Sequence, residues 1–169
     1  MHITIEKGDK SRQIVTIFQH LKTQISSINI YLDDEHLYIQ AMPSSQIGLF
    51  ELNLIKDWFQ EYDVTQPVTL GVNCELLHKM IHCLEKEHTL SFHFEEDGDK
   101  MFVHLDSDKS GIISLHFGLP LLDLDLERLN VPDVEYVADI QINSSLLEKT
   151  IEQLQKHSPG PDCSHPLMQ

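Results

Sequence analysis

The chain has 169 residues, 41% of them apolar, and a formal net charge of −15 at pH 7. This apolar content is enough to build a folded domain with its own core and excludes a disordered chain. The acidic balance argues against binding nucleic acid or an anionic membrane over the whole surface, because like charges repel each other. It leaves room for a local basic face.

The sequence shows no export signal and no membrane span. Its first residues, MHITIEKGDK, lack the apolar core of a secretory signal, and no apolar run approaches the roughly twenty residues that cross a bilayer. The three cysteines, Cys74, Cys83 and Cys163, have no CxxC spacing, which is typical of reduced thiols and not of a disulfide scaffold. These features predict an intracellular protein without a membrane partner.

The N-terminal part of the chain is patterned as strands and helices in turn. The segment HITIE alternates as a strand does, and a helix with one apolar stripe follows it. The residues of that stripe are Ile14, Ile17, Phe18, Leu21 and Ile25. The runs INIYLDDEHLYIQAM and QIGLFELNL then predict antiparallel strands with tight connections, and PVTLGV predicts another strand.

A second helix is predicted from about Cys74 to Leu84. Its expected buried face consists of Leu76, Leu77, Met80, Ile81 and Leu84. Three more strands follow, with the pair Asp97-Gly98 marking a hairpin. The next segment, LLDLDLERLNVPDVEY, begins with alternating apolar and acidic residues but ends in residues that favour turns, which predicts a linker.

An internal repeat supports this interpretation of the linker. The segment NCELLHKMIHCL from Asn73 aligns without gaps with NSSLLEKTIEQL from Asn143, and each follows a short strand, VTLGV or VADIQI. Chance similarity between two amphipathic helices is the alternative. The matched Asn caps, and a matched lysine within the helices, favour a repeated strand, helix and strands unit. The second copy then opens at Tyr136.

Three segments, taken in order, resemble one protein family. LYIQAMPSSQIGLFEL, TLGVN and above all LLDLDLERLNVPDVEY are similar to segments of the eukaryotic DNA sliding clamps, the proliferating cell nuclear antigens. The resemblance runs from the first residues to about Leu154. It implies an α+β protein with the DNA-clamp fold, in which each domain has two helices on one face of antiparallel sheets. In the family, three such subunits close head to tail into a ring around duplex DNA.

The resemblance also implies a function. A clamp is a processivity factor without catalytic residues or cofactors, which tethers replication and repair proteins to DNA that it encircles without sequence specificity. Its expected partners are docking peptides of DNA polymerases, ligases and nucleases, a clamp loader and two further copies of the subunit. We expect a nuclear protein, or one at a cytoplasmic replication site if it is viral. A clamp-like peptide-binding scaffold that does not encircle DNA is the chief alternative.

The same resemblance predicts the domain organisation. It places an N-terminal clamp domain at 1–118, an interdomain connecting loop at 119–135, and the first strand and helix of an incomplete second domain at 136–156. A loose tail, rich in proline, is expected at 157–169. We therefore expect a truncated chain that does not close a trimer by itself, with dimerisation through its unpaired edge as the alternative.

In the clamp family, the connecting loop and the neighbouring sheet bind short peptides with aromatic anchors. The matching positions here are Met42, Gln46, Ile47, Leu49, Leu126, Leu129, Val131 and Pro132. Most of these residues are apolar, as a peptide-docking hot spot requires. Gln46 stands where the family typically has a histidine, which bears on peptide preference. For Met42 or Leu49, a place in the sheet core is the alternative interpretation.

The family resemblance also assigns a DNA-facing surface to the helices. The residues expected there are Lys10, Arg12, Lys22, His78, Lys79, His82 and Lys149. Loose phosphate contacts suit sliding, since retention comes from the closed ring. Val15 and Glu152 stand where the family is often basic, which predicts weaker contact with DNA. An ordinary solvated helix face is the alternative.

The expected subunit interface is the edge strand GIISLHF. Its apolar residues are Ile113, Leu115 and Phe117. In the clamp family, the corresponding strand pairs with strands of a neighbouring subunit, which satisfies the unpaired backbone groups of a sheet edge.

Catalytic and metal sites are not predicted. Cys74, His78 and His82 are spaced i, i+4, i+8 and would share one helical face, but no fourth ligand has convincing spacing. A metal-dependent enzyme that uses this helix is a distant alternative. The sequence contains no Gly-rich phosphate loop, nucleophile elbow or HExxH motif.

Overall fold

The computed structural model describes residues 1–46, 48–95, 98–126, 128–131, 137–138 and 140–157. The chain divides into two compact units, Met1–Leu129 and Asn130–Gln169. Within the described residues, no helix combines the length and the apolar character needed to cross a membrane.

The first unit alternates strands and helices, as the sequence predicts. Its described elements, in chain order, are β1 (His2–Ile5), α1 (Asp9–Leu21), β2 (Ser27–Leu32), β3 (His36–Ala41), β4 (Phe50–Ile55), a 3-10 helix (Lys56–Trp58), β5 (Glu61–Asp63), β6 (Val68–Asn73), α2 (Cys74–Ile81), β7 (Thr89–Phe94), β8 (Lys100–Asp106) and β9 (Leu115–Pro120). The sequence patterns did not predict β5 or the 3-10 helix, because three-residue elements carry little periodicity.

The strands form two antiparallel sheets. The order in the five-stranded sheet is β5-β1-β7-β8-β9, and the order in the four-stranded sheet is β4-β3-β2-β6. The hairpin predicted at Asp97-Gly98 is present as the pair β7 and β8, in which Phe94 lies opposite Met101. Asp97 itself lies outside the described residues. The predicted α+β architecture with antiparallel sheets is therefore confirmed.

The core lies between the two sheets and the helices. Ile14, Phe18 and Leu21 are the buried apolar residues of α1, at the spacing of one helical face. Phe18 lines a small apolar cavity of about 40 Å³ together with Ile3 of β1 and Ile30 of β2. The four-stranded sheet therefore turns one face to the core and α1, and its other face outward.

The burial of α2 differs from the prediction. Its buried residues are Cys74, Leu77, His78 and Ile81, at positions i, i+3, i+4 and i+7, whereas Leu76 is 41% exposed. The predicted stripe was therefore wrong at Leu76. Because α2 packs beside α1, the core-facing side of the helix includes a cysteine and a histidine, which a search for apolar residues does not select.

The second unit contains one described helix, α3 (Ser144–His157). The backbone N–H of Ser145 donates to Asn143 Oδ1 over 3.0 Å, and in α2 the N–H of Leu76 donates to Asn73 Oδ1 over 2.9 Å. Both predicted Asn caps are thus confirmed. The apolar side chains of α3 are exposed within this unit: Leu146, Leu147, Ile151 and Leu154.

The strand predicted from Tyr136 is not formed by the described residues 137–138 and 140–143. A strand is stabilised by hydrogen bonds to a partner strand, and none of the described strands pairs with these residues. Tyr136, Asp139 and the predicted tail from residue 158 onward lie outside the described residues.

Candidate functional site

The first part of the linker lies on the outward face of the four-stranded sheet. The N–H of Leu122 donates to the carbonyl oxygen of Gly71 in β6, over 2.8 Å. On β2, the side-chain amide of Asn29 and the hydroxyl of Tyr31 donate to the carbonyl oxygens of Leu124 and Leu126, each over 3.2 Å. Asn29 and Tyr31 point outward because they alternate with the core residues of β2. The strand pattern thus provides the polar side chains that hold the linker.

Gln40 of β3 holds the linker at Leu129. Its side-chain amide donates to the carbonyl oxygen of Leu129 over 2.9 Å, and its side-chain oxygen accepts from the N–H of Leu129 over 2.7 Å. These two bonds use only the main chain of Leu129. Its side chain therefore remains available for other contacts.

A cation–π contact supports the linker beside Gln40. The guanidinium of Arg128 lies 4.2 Å from the ring centroid of Tyr38 and 5.4 Å from that of Tyr31. The Tyr38 hydroxyl donates to a carboxylate oxygen of Glu51. Burial, and then the contact with Glu51, raise the pKa of Tyr38, which keeps the hydroxyl protonated as a donor.

An apolar hollow of about 190 Å³ lies between the linker and the sheet. It is lined by Ile25, Ser27, Gln40, Ala41, Met42, Leu49, Leu126 and Leu129. The side chains of Leu126 and Leu129 are 50% and 45% exposed, and those of Met42 and Leu49 are 42% and 36% exposed. Four large apolar side chains from separate segments therefore converge on one open hollow.

A second hollow, of about 200 Å³, adjoins the first. It is lined by His20, Leu21, Gln24, Ile25, Pro43, Gly48, Leu49 and Phe50. Ile25 and Leu49 line both hollows. We refer to the two hollows together as the docking groove, which extends from the linker to the end of α1.

The structure brings together four of the residues predicted for peptide binding: Met42, Leu49, Leu126 and Leu129. Gln46 is exposed, with a positive φ of 55°, and does not line the docking groove. Val131 belongs to the second unit and is 50% exposed. Ile47 and Pro132 lie outside the described residues.

The prediction missed Ile25, Ser27 and Gln40 as groove residues. Ile25 had been placed on the stripe of α1, but that helix ends at Leu21. Strand alternation offered a signal for the other two, since Ser27 and Gln40 occupy outward positions on β2 and β3.

The basic residues predicted to face DNA are partly engaged in other contacts. The Lys10 ammonium donates to the carbonyl oxygen of Trp58 over 2.7 Å, and the Lys79 ammonium lies 2.7 Å from a carboxylate oxygen of Glu75. Arg12 is exposed on α1. In the second unit, Lys149 is exposed on α3.

His78 corrects the predicted DNA-facing surface. It is only 5% exposed, because its ring lies in the contact between α1 and α2. Its Nδ1 atom lies 3.0 Å from the Lys22 ammonium, and its ring stacks on His82 with 5.1 Å between centroids. His82 is exposed, and Lys22 is half-buried.

The residues predicted for the subunit interface lie in or before β9, at one edge of the five-stranded sheet. Leu115 and Phe117 are half-buried members of the strand. Ile113 precedes the strand and is 77% exposed, and its carbonyl oxygen lies 3.0 Å from a ring nitrogen of the buried His88.

Acidification is expected to destabilise the fold through His78. Burial, then the positive charge of Lys22 and then His82 lower its pKa in the folded state. In the unfolded chain a histidine has a pKa of about 6.5, so unfolding takes up a proton as the pH falls below that value. Stability should be highest above about pH 6.5 and should decrease as the pH falls towards the lower, folded-state pKa.

The measurement compares urea unfolding midpoints at about pH 7.5 and about pH 5.5. His78→Gln should lose part of the pH dependence, whereas Gln19→Ala, at an exposed position on α1, should retain all of it. His93 and His104 should also contribute, because burial lowers their pKa values too. Equal pH dependence in wild type and His78→Gln would contradict the prediction.

Comparison with known proteins gives a family match. The family described as "Proliferating cell nuclear antigen, N-terminal domain" matches residues 7–128. The proliferating cell nuclear antigen of Chaetomium thermophilum is 28% identical over 134 residues, which are 79% of this chain and 51% of that protein. The Saccharomyces cerevisiae protein of the same name is 25% identical over 152 residues, which are 90% of this chain and 58% of that protein. The chain thus spans about half the length of the curated relatives it matches.

Solved structures give the same result for the fold. The crystal structure of a proliferating cellular nuclear antigen from Entamoeba histolytica superposes with a TM-score of 0.79 at 23% identity, covering 92% of this chain and 60% of that one. The corresponding protein of Thermococcus kodakaraensis gives a TM-score of 0.70 at 19% identity, over 79% of this chain and 51% of that one. These likenesses establish the clamp fold.

Proposed function

This chain belongs to the proliferating cell nuclear antigen N-terminal domain family, and from that membership we propose that it is the part of a DNA sliding clamp that carries the docking site for partner proteins. Sliding clamps are non-enzymatic scaffolds of DNA replication and repair. The docking groove is the observation that supports this role, because it presents apolar side chains to solvent beside a linker that is held in place.

The composition of the docking groove fits a short peptide with apolar and aromatic anchors. Aliphatic side chains line both hollows, Met42 lines the first, and Gln24, Ser27 and Gln40 supply polar groups at the same surface. Such a lining favours aromatic side chains, which bury a large area against flexible Met and Leu residues. Polar groups beside the hollows can orient the peptide backbone. The proposed partners are therefore docking peptides of DNA polymerases, ligases and nucleases.

We further propose that the helices lie on the DNA side of the assembled clamp. The core face of the four-stranded sheet packs towards α1, and the linker occupies its outward face, so α1 and the linker lie on opposite sides of this sheet. Arg12 is an exposed cation of α1 that is available for loose phosphate contact. A ring of three subunits, a clamp loader and a nuclear site belong to the same proposal.

Ring closure would use the edge strand β9. Its outer edge has no strand partner among the described residues. An unpaired edge is a ready template for strands of another subunit. Leu115 and Phe117 would then become buried at the contact.

The variant Arg12→Glu tests whether α1 faces DNA. It should lower affinity for duplex DNA and reduce the slope of log affinity against log salt by about 1, because one phosphate contact is lost. Lys100→Glu makes the same charge change at an exposed position on the outward face of β8, and should leave the slope unchanged. Fluorescence anisotropy with labelled duplex over a salt series measures both. A slope equal to wild type in Arg12→Glu would show that α1 does not face DNA, without bearing on the docking groove.

A further inference from the structure

Four histidines form a row across the outward face of the five-stranded sheet. They are His2 of β1, His93 of β7, His104 of β8 and His116 of β9. Successive ring centroids along this histidine row are 5.6, 4.5 and 4.1 Å apart. The rings alternate along their strands with core residues such as Ile3 and Val103, so they point away from the core.

A carboxylate completes a cluster at the β9 end of the histidine row. His104 and His116 are direct partners in the antiparallel pair of β8 and β9, and Asp106 follows two positions after His104 on the same face. One ligand atom from each of these three residues lies within 4.8 Å of the others. Among the described residues, no other group of His, Cys, Asp or Glu side chains meets this criterion.

We propose that His104, Asp106 and His116 bind one divalent transition-metal ion of the zinc or nickel class. Imidazole nitrogens with one carboxylate oxygen suit these ions, whereas magnesium and calcium prefer oxygen ligands throughout. Three protein ligands leave further positions for water or for a group from a partner. His104 is half-buried and the other two are exposed, so an ion can enter from solvent.

The geometry of the cluster requires only side-chain adjustment. Ligands about 2.1 Å from a tetrahedral zinc ion lie about 3.4 Å from one another, and the three ligand atoms of the cluster all lie within 4.8 Å of one another. His116 Nε2 now lies 2.8 Å from Asp106 Oδ1, and the ion would take the place of this hydrogen bond. The paired strands hold the backbones, and the ring of His93 packs against His104 and limits its rotation.

The metal-binding helix considered from the sequence is a poorer candidate. Burial raises the pKa of the Cys74 thiol to about 11, which disfavours the thiolate that binds metals. His78 is buried between the helices, with its Nε2 atom enclosed and Nδ1 facing the Lys22 ammonium. The structure therefore favours a metal site on the outward face of the five-stranded sheet over one on α2.

Equilibrium dialysis against Zn²⁺, with the bound metal measured by mass spectrometry, tests the proposal on the full chain. The double variant His104→Ala/His116→Ala should bind one zinc ion fewer per chain than wild type. His20→Ala, which removes an exposed histidine from α1, should bind as much as wild type. Zinc bound at other positions is the same in wild type and in the variants, so it does not affect the difference in bound zinc between them.

Asp106→Asn provides a second test, in which the volume of the side chain hardly changes. It should lower zinc affinity by about tenfold or more, since a charged ligand is lost, with an unchanged circular dichroism spectrum. Backbone amide signals of β8 and β9 should shift on addition of Zn²⁺ and not of Mg²⁺. Equal zinc binding by wild type and both variants, or equal responses to Zn²⁺ and Mg²⁺, would overturn the proposal.

Discussion

Replacing Leu129 with Asp is expected to lower the affinity of the docking groove for a short aromatic peptide at least tenfold, while the fold is retained. Burying one leucine side chain is worth about 1.5 to 3 kcal/mol, and about 1.4 kcal/mol corresponds to a tenfold change in affinity. The side chain is 45% exposed, so a carboxylate there stays hydrated in the free protein. On peptide binding, the same carboxylate would have to be desolvated without a partner.

The linker should keep its place in Leu129→Asp. Both hydrogen bonds from Gln40 go to the main chain of residue 129, and neither needs the leucine side chain. The loss of affinity can therefore be assigned to the groove surface and not to release of the linker.

Fluorescence anisotropy measures the effect, with a labelled peptide that carries adjacent aromatic residues. Ile55→Asp is the matched control, because Ile55 is a 61% exposed apolar residue at the far end of β4 that does not line the docking groove. It should bind the peptide as wild type does. Equal titration curves for Leu129→Asp and wild type would remove the docking groove as the peptide site.

Gly71→Ala is expected to displace the linker from the sheet. A Cβ atom at Gly71 would lie 2.1 Å from the carbonyl oxygen of Leu122 and 3.1 Å from Leu124 Cγ. The first contact is with backbone, so it cannot be relieved by rotating a side chain. Relief must come from moving the linker, which breaks the 2.8 Å hydrogen bond from Leu122 to Gly71. We expect a cost of about 1 to 3 kcal/mol, the usual range for overpacking.

Gly118→Ala is the control for the loss of backbone flexibility. Gly118 lies in β9 of the other sheet, where the nearest atom to an added Cβ, Phe102 Cε1, is 3.7 Å away at ordinary contact distance. Urea unfolding measures the stability of each variant, and hydrogen exchange of the Leu122 amide measures whether the linker stays on the sheet. Gly71→Ala should be less stable than Gly118→Ala and should exchange faster at Leu122. Equal stability and exchange in the two variants would show that the linker does not need glycine at this position.

Local patterns predicted the elements of the first unit. Alternation located the longer strands, and Asn73 and Asn143 marked the starts of α2 and α3, because a cap acts on the backbone within its own first turn. The same local rules failed for β5, which is too short to show alternation. At residues 137–138 and 140–143 a strand-like pattern has no described partner strand.

Burial on the helices depended on which elements pack together. The apolar stripe of α1 was visible in the sequence, whereas α2 buries His78 and leaves Leu76 exposed, because its orientation follows the contact with α1. A helical pattern indicates a face but does not show what that face meets. His78 is buried for this reason, although the sequence places it on an exposed face.

The order of elements, the linker and the apolar residues Met42, Leu49, Leu126 and Leu129 could be predicted from the chain, since these depend on local patterning and on resemblance to a family. Which residues meet across strands became visible only in the folded molecule. Folding places Ile25 and Gln40 in the docking groove and brings His104, Asp106 and His116 together. The physical reason is strand register: hydrogen bonding between β8 and β9 sets His104 opposite His116, and no spacing along the chain encodes that pairing.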